Sequence, residues 1–192
     1  MILNRMHALV SLSCSWLCSC LLMAAATATL AQAPATEADK HFVREALMGG
    51  MAEVQLGHVA SQKGSSADVK RFGQKMVEDH TRMGGAMKEV ASQIGVMAPT
   101  ELAPEDRALK AKLEGLAGAE FDRAYIRAMV KDHQDDLQAF KSEAANGSSP
   151  AVKDAASQGA NVVSEHLNLI EQIAASHHVS VNAQGMSGKS GR

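Results

Sequence analysis

Four polar residues, Glu53, His80, His133 and His166, each interrupt an apolar stripe near its middle. The stripes step by three and four residues, the spacing of a helix face turned towards a core. Around Glu53 the stripe runs Phe42, Ala46, Gly49, then Leu56 and Ala60. Around His80 it runs Gly73 and Met76, then Met83 and Met87. His133 lies between Met129 and Leu137, and His166 between Val162 and Leu169. Mid-helix positions of a bundle share one height whichever way each helix runs, so these four side chains should converge. Burying three imidazoles and a carboxylate costs several kcal/mol, roughly, unless something satisfies them. A transition metal would: histidine nitrogens and a carboxylate from facing helices suit iron, manganese, zinc or copper. A closed hydrogen-bond network that fixes helix register is the other solution, and the residue types allow both. Asp79, Asp132 and Glu165 each precede one of the histidines. Adjacent helical residues point about 100° apart, which puts these acids on neighbouring helix contacts, where a carboxylate can orient an imidazole from outside.

Four long helices must carry these residues, expected over 37–63, 67–94, 119–146 and 150–177. The first starts at Thr36 with Asp39 three residues on, a capping box. The second has Ser65 as its cap with Asp68 in the box position and stops at Gly95. The third follows Gly118 and ends at Gly147, expected in a left-handed stop. The fourth opens with Ser149 as cap and Pro150 in the first turn. Short first and last connections imply two antiparallel hairpins. The middle connection is long, broken by Pro99 and Pro104, and carries a short helix in "EDRALKAKLEGL". It is long enough to cross the bundle and set the second and third long helices parallel. The expected fold class is therefore all-α, a four-helix bundle.

The second and third long helices share a pattern, an aromatic, three residues, then Met-Val-x-Asp-His: "FGQKMVEDH" and "YIRAMVKDH". This suggests two related hairpins. Met76, Met83 and Met129 sit one turn from the histidines, where methionine usually fills core space; soft-metal or haem ligation is the alternative chemistry. His58, off its stripe, and His177 and His178, at a helix end, need no function.

A basic start, an apolar run and a small-residue end, "AAATATLAQAPA", make residues 1–33 a secretory signal peptide, with the cut between about 31 and 35. An uncleaved membrane anchor is the competing reading of that segment. Cys14, Cys18 and Cys20 all lie in it. The exported remainder is cysteine-free, which excludes disulfides, zinc–thiolate sites, iron–sulfur clusters and covalent haem. Of 19 Lys+Arg only Arg5 precedes Glu37, and all 21 Asp+Glu follow the leader. A mildly acidic chain with few aromatics and no basic patch argues against nucleic acid as a partner. Residues 36–178 make one domain, and 179–192, small and glycine-rich, read as a disordered tail. No nucleophile–base pair, phosphate loop or paired catalytic carboxylates stand out, so the sequence makes no case for an enzyme.

The segments "GGMAEVQLGHVASQKGSSADVKRFGQKMVEDHTR", "AGAEFDRAYIRAMVKDHQDDLQAFKSEAANG" and "SEHLNLIEQIA" resemble an exported bacterial family known as domain of unknown function four-one-four-two. The resemblance spans Ala38 to about His178. It implies a ferritin-like four-helix bundle in the bacterial envelope and no established activity. Likeness to true di-iron ferritins is weaker: those use Glu-x-x-His on two helices, whereas here acid and histidine are adjacent, as in "EDH" and "KDH".

Overall fold

The computed structural model describes residues 33–181, and they are all-helical: α1 Glu37–Lys63, α2 Ala67–Gln93, α3 Pro104–Glu114, α4 Gly118–Asn146 and α5 Pro150–Ser176, with no strand among them. The expected leader, and the expected tail beyond residue 181, lie outside the described residues. At the near end of that tail, Val179 is buried in the core and Val181 packs beside it.

Local sequence explains most boundaries. The Asp39 amide donates to Thr36 Oγ1 at 3.2 Å, and the Thr36 amide donates to the Asp39 carboxylate at 2.6 Å, so both ends of the capping box are made. Gly95, at φ +73°, and Gly118, at φ +57°, take left-handed backbone where α2 has ended and α4 begins. Pro150 occupies the first turn of α5 after Ser149. Two details differ from expectation. Ser66, not Ser65, stands at the N-cap of α2 and no side chain closes a capping box there: the amides of both serines donate to Asp122, and Asp68 meets His177. Gly147 ends α4 at φ −55°, not left-handed, because the next amides turn towards Asp39.

Those two buried aspartates set the helix directions. Asp122, in the first turns of α4, accepts the amides of Ser65 and Ser66 at 2.8 and 2.9 Å. Asp39, in the first turn of α1, accepts the amide of Ser148 at 2.8 Å. The start of α4 therefore lies beside the α1–α2 turn, and the start of α1 beside the α4–α5 turn. It follows that α2 and α4 run parallel, while α1 packs against α4, and α2 against α5, in antiparallel sense. Burial works against ionising Asp39, but hydrogen bonds from Thr36 and Ser148 win and hold its carboxyl well below the usual range.

The hairpin α1–α2 is unusually tight at Gly57 and Gly73. A Cβ on either would lie 2.7 Å from the other's carbonyl oxygen. Gly73→Ala must push two backbones apart, so thermal melts should show a loss of about 2 kcal/mol, the usual cost of forcing atoms into a packed core. An unchanged melting temperature would mean the helices separate freely there.

The apolar core has two compartments. One gathers Leu56, Phe72, Met76, Phe121, Tyr125, Met129 and Ile170. The other gathers Val43, Leu47, Met87, Phe140, Val152 and Val163. In the first half of α1 the buried face is Val43, Leu47 and Gly50, one residue on from the stripe Phe42, Ala46, Gly49. Phe42 is half-buried and meets Phe140 edge-on at 5.1 Å. Between the two compartments lies a polar layer.

Candidate metal centre

Each long helix contributes one fully buried polar side chain to that layer: Glu53 from α1, His80 from α2, His133 from α4 and His166 from α5. The three imidazole rings form a triangle with centroids 5.2, 5.6 and 6.0 Å apart. Phe72 floors it, with its ring centre 6.1 Å from His133 and 6.3 Å from His166. The shared pattern places these groups by a four-residue step. Phe72, Met76 and His80 are all buried on one face of α2; Tyr125, Met129 and His133 are buried on one face of α4.

The outer nitrogens of two histidines are tied. His133 Nδ1 lies 2.9 Å from the Met129 carbonyl, which can only accept, so the proton sits on Nδ1 and the Nε2 lone pair faces inward. His166 Nε2 lies 2.8 Å from the Asp79 carboxylate, so its proton sits there and the Nδ1 lone pair faces inward. Asp79 also takes Lys75 Nζ at 2.8 Å and Arg82. Burial opposes its ionisation, but Lys75 and His166 outweigh that and bring its pKa down to about 2.

Inward-facing groups outnumber the protons that the imidazoles supply. His166 Nδ1 is 3.3 Å from His80 Nε2. His80 Nδ1 is 2.8 Å from Glu53 Oε2, and His133 Nε2 is 3.3 Å from Glu53 Oε1. Despite these short separations, both Glu53 oxygens, His80 Nδ1 and His133 Nε2 lack any aligned hydrogen-bond partner. Burial holds the histidines neutral, lowering their pKa to about 4 for His80, about 3 for His133 and about 4 for His166. Three neutral imidazoles carry three protons. Two of them are committed outward, to Met129 and Asp79. The last serves either the His80–His166 contact or the His80–Glu53 contact. His133 Nε2 faces Glu53 with no proton of its own.

Buried nitrogen and carboxylate lone pairs that face one another are what a cation needs, although His80 turns Nδ1 towards Glu53 and Nε2 towards His166, so the four donors do not all meet at one point. Ligands about 2.05 Å from a tetrahedral zinc-like ion lie about 3.3 Å from one another, close to the 2.8–3.3 Å separations here. Single ligand atoms of His80, His133 and His166 all fall within 4.8 Å of each other, as do those of Glu53, Asp132 and His133.

A family model described as a domain of unknown function, DUF4142, matches residues 24–173. The chain belongs to the DUF4142 family. Solved structures similar to this DUF4142 chain share its helical fold at low identity. The DUF305 fragment from Deinococcus radiodurans is 17% identical, with a TM-score of 0.66, covering 74% of this chain and 99% of that one. A "putative secreted protein DUF305 from Streptomyces coelicolor" is 14% identical, with a TM-score of 0.65, covering 77% and 98%. CopM in the Cu(I)-bound form is 19% identical, with a TM-score of 0.60, covering 72% and 96%. Among curated proteins no match is found.

The acids named from the sequence take three different places in this DUF4142 domain. Asp79 fixes His166. Asp132 is half-buried next to Glu53 and His133. Glu165 is exposed on the wall of a groove between α2 and α5, of about 600 Å³, so it does not join the layer. The two Asp-His pairs thus do different work. They also occupy non-equivalent helices, the second of one hairpin and the first of the other, so duplication of a hairpin does not account for the repeat.

Two further acids escaped the sequence reading, Asp136 one turn beyond Asp132 and Asp106 on α3. The i, i+4 spacing from Asp132 was the available signal for Asp136. Burial, then repulsion from Glu53, pushes Asp132 up to about 8. Burial, then repulsion from Asp132, pushes Asp136 up to about 7. Glu53 is raised well above the usual carboxylate range by burial and then by Asp136. The polar layer therefore runs from Asp79 near the α2–α5 groove, through the histidines and Glu53, to carboxylates on the α4 side.

Proposed function

We propose that this DUF4142 chain binds a transition-metal ion in its buried layer, through Glu53, His80, His133 and His166, inside a ferritin-like four-helix bundle exported to the bacterial envelope. One observation carries the reading. His133 Nε2 and both Glu53 oxygens are buried, face one another and have no aligned hydrogen-bond partner. Asp79 and the Met129 carbonyl would hold His166 and His133 in the required tautomers, the usual support for metal-bound imidazole. Asp132 would stand beside the ligands. The donor set suits iron, manganese, zinc or copper, and the Cu(I)-bound CopM neighbour puts copper among the first to try.

The competing reading is a non-enzymatic envelope or stress-related protein whose layer is a hydrogen-bond network. The His80–His166 and His166–Asp79 contacts favour it. Elemental analysis of protein purified without a histidine tag, then dialysed against each metal, separates them. At least one tightly held equivalent is expected. Protein that stays metal-free and is unaffected by all four ions leaves only the network.

Export rests on the leader read at residues 1–33. Edman sequencing of the protein from a periplasmic fraction should begin between Gln32 and Thr36. A chain starting at Met1 points to an uncleaved anchor instead. Among the described residues no helix is long and apolar enough to cross a membrane.

A further inference from the structure

We infer that a single ion of the zinc or copper class is held by three imidazoles alone, through His80 Nε2, His133 Nε2 and His166 Nδ1, and that Glu53 is a positioning residue that accepts the His80 Nδ1 proton from outside the coordination sphere. The inference rests on the metal-binding reading above and deepens it: three of its four residues touch the ion, and the fourth acts through one of them.

His80 decides which donors can meet. It turns Nδ1 to Glu53 Oε2 at 2.8 Å, and Nε2, on the other edge of the ring, to His166 Nδ1 at 3.3 Å. An ion at Nε2 has His166 beside it and Glu53 across the ring. His133 belongs on the same side. One ligand atom each from His80, His133 and His166 lie within 4.8 Å of one another, whereas the set that contains Glu53 holds Asp132 and His133 but neither of the other histidines.

The ring spacing fits a shared ion. Three imidazoles that bind one ion at about 2.05 Å have ring centres about 3.2 Å from it, and so about 5.2–5.5 Å apart, between tetrahedral and trigonal arrangements. The three rings stand 5.2, 5.6 and 6.0 Å apart. Only the His80–His133 side is long, by about half an ångström on that scale.

Each nitrogen turned away from the ion then faces an acceptor. His133 Nδ1 meets the Met129 carbonyl at 2.9 Å, His166 Nε2 meets Asp79 at 2.8 Å, and His80 Nδ1 meets Glu53 Oε2. Acceptors so placed fix the tautomer and make the opposite nitrogen a better ligand. The His80–Glu53 pair is close but not aligned; the last torsion of a glutamate is soft, so a turn of the carboxyl group completes the bond. Without an ion, the one proton of His80 can sit on Nε2, facing His166 Nδ1. The ion takes that place, and His80 carries its proton on Nδ1 instead. Glu53 need not ionise for this. Burial favours its keeping a proton, and an acid protonated at Oε1 still accepts at Oε2, with Asp132 nearby to take the hydroxyl. Three neutral imidazoles and no coordinating carboxylate suit zinc or copper; manganese, which takes carboxylate and water oxygens, fits poorly.

Equilibrium dialysis of the full chain against Zn(II), with a competing chelator to read Kd, tests this. Wild-type protein should hold one equivalent. Glu53→Gln, the isostere of the protonated acid, keeps the acceptor and should hold one equivalent with Kd within a few-fold of wild type. Glu53→Ala should weaken binding by about 10–100-fold, the usual effect of losing a partner behind a ligand. X-ray absorption spectra of zinc-loaded wild type and Glu53→Gln should superimpose and show three imidazoles, and Mn(II) should not be retained. Glu53→Gln that loses zinc as badly as Glu53→Ala puts Glu53 among the ligands, which overturns this inference and leaves the metal-binding reading standing. Tight Mn(II) binding, or fewer than three imidazoles in the wild-type spectrum, overturns it equally, and neither of those needs a variant that folds. Wild type that holds no metal removes both readings.

Discussion

A thousandfold excess of free metal over its Kd should raise the melting temperature of the wild-type chain by roughly 8–16 °C, and His133→Ala should abolish that shift. Mass action sets the size: such an excess contributes about 4 kcal/mol, and a domain of this length gains about 2–4 °C per kcal/mol. His133 is the most informative residue because it has one job in the inner face of the layer. Its Nδ1 is held by the Met129 carbonyl, and its Nε2 faces Glu53. Removing the ring leaves a cavity and exposes Glu53 to nothing, so the apo variant should melt below wild type under either reading, by about 2–5 kcal/mol. The absolute melting temperature therefore does not discriminate. The metal-induced shift does. A hydrogen-bond network predicts none in either protein, and a shift that survives in His133→Ala places the ion away from this layer. Differential scanning fluorimetry with zinc, copper, manganese and ferrous iron reads both quantities in one plate.

The four residues of the layer were legible because each breaks an apolar stripe, and a polar residue on a buried face has to be explained by something it meets. The parallel course of α2 and α4 followed from connection lengths. What periodicity could not give was the role of each acid. Asp79 and Asp132 stand in the same local pattern, yet one holds His166 and the other lies beside Glu53. That difference comes from which helix packs alongside, a long-range property. Glu165, in the same position before its histidine, faces solvent for the same reason. The long-range contacts of Asp39 and Asp122 were equally opaque, although the capping box of Asp39 with Thr36 was not: each aspartate reaches amides more than fifty residues away. The contact between Gly57 and Gly73 was hidden because a glycine in a stripe looks like a weak apolar residue until a second backbone is seen against it. In α1 the periodicity places the stripe one residue early because Phe42 is large and apolar, while Val43 and Leu47 do the burying.

The metal-free protein should lose stability as pH rises from about 6.5 to 8.5, by on the order of 3 kcal/mol or roughly 10 °C, and bound metal should reverse the trend. Burial acts in opposite directions on the two kinds of group in the layer. Glu53, Asp132 and Asp136 have raised pKa values when folded, the last two at about 8 and about 7. Above the ordinary carboxylate range the native state holds their protons and the unfolded chain does not, so their contribution falls as pH rises through the folded values. The histidines have depressed values when folded, to about 4 or below. The unfolded chain binds their protons below about 6.5, so their contribution is lost as pH falls from there. Between about 4.5 and 6.5 the two slopes oppose each other and stability should change little. Above 6.5 the histidines no longer contribute, and the ionising carboxylates, Glu53 buried and Asp132 and Asp136 half-buried, repel one another. Asp132→Asn removes one of these titrations and should flatten the fall. Divalent metal competes with the same protons, so its stabilisation should grow over the same window. Thermal melts of apo and loaded protein across this range test the argument. Apo stability that is flat or rising from pH 6.5 to 8.5 would mean that the carboxylates are already ionised and satisfied without a cation.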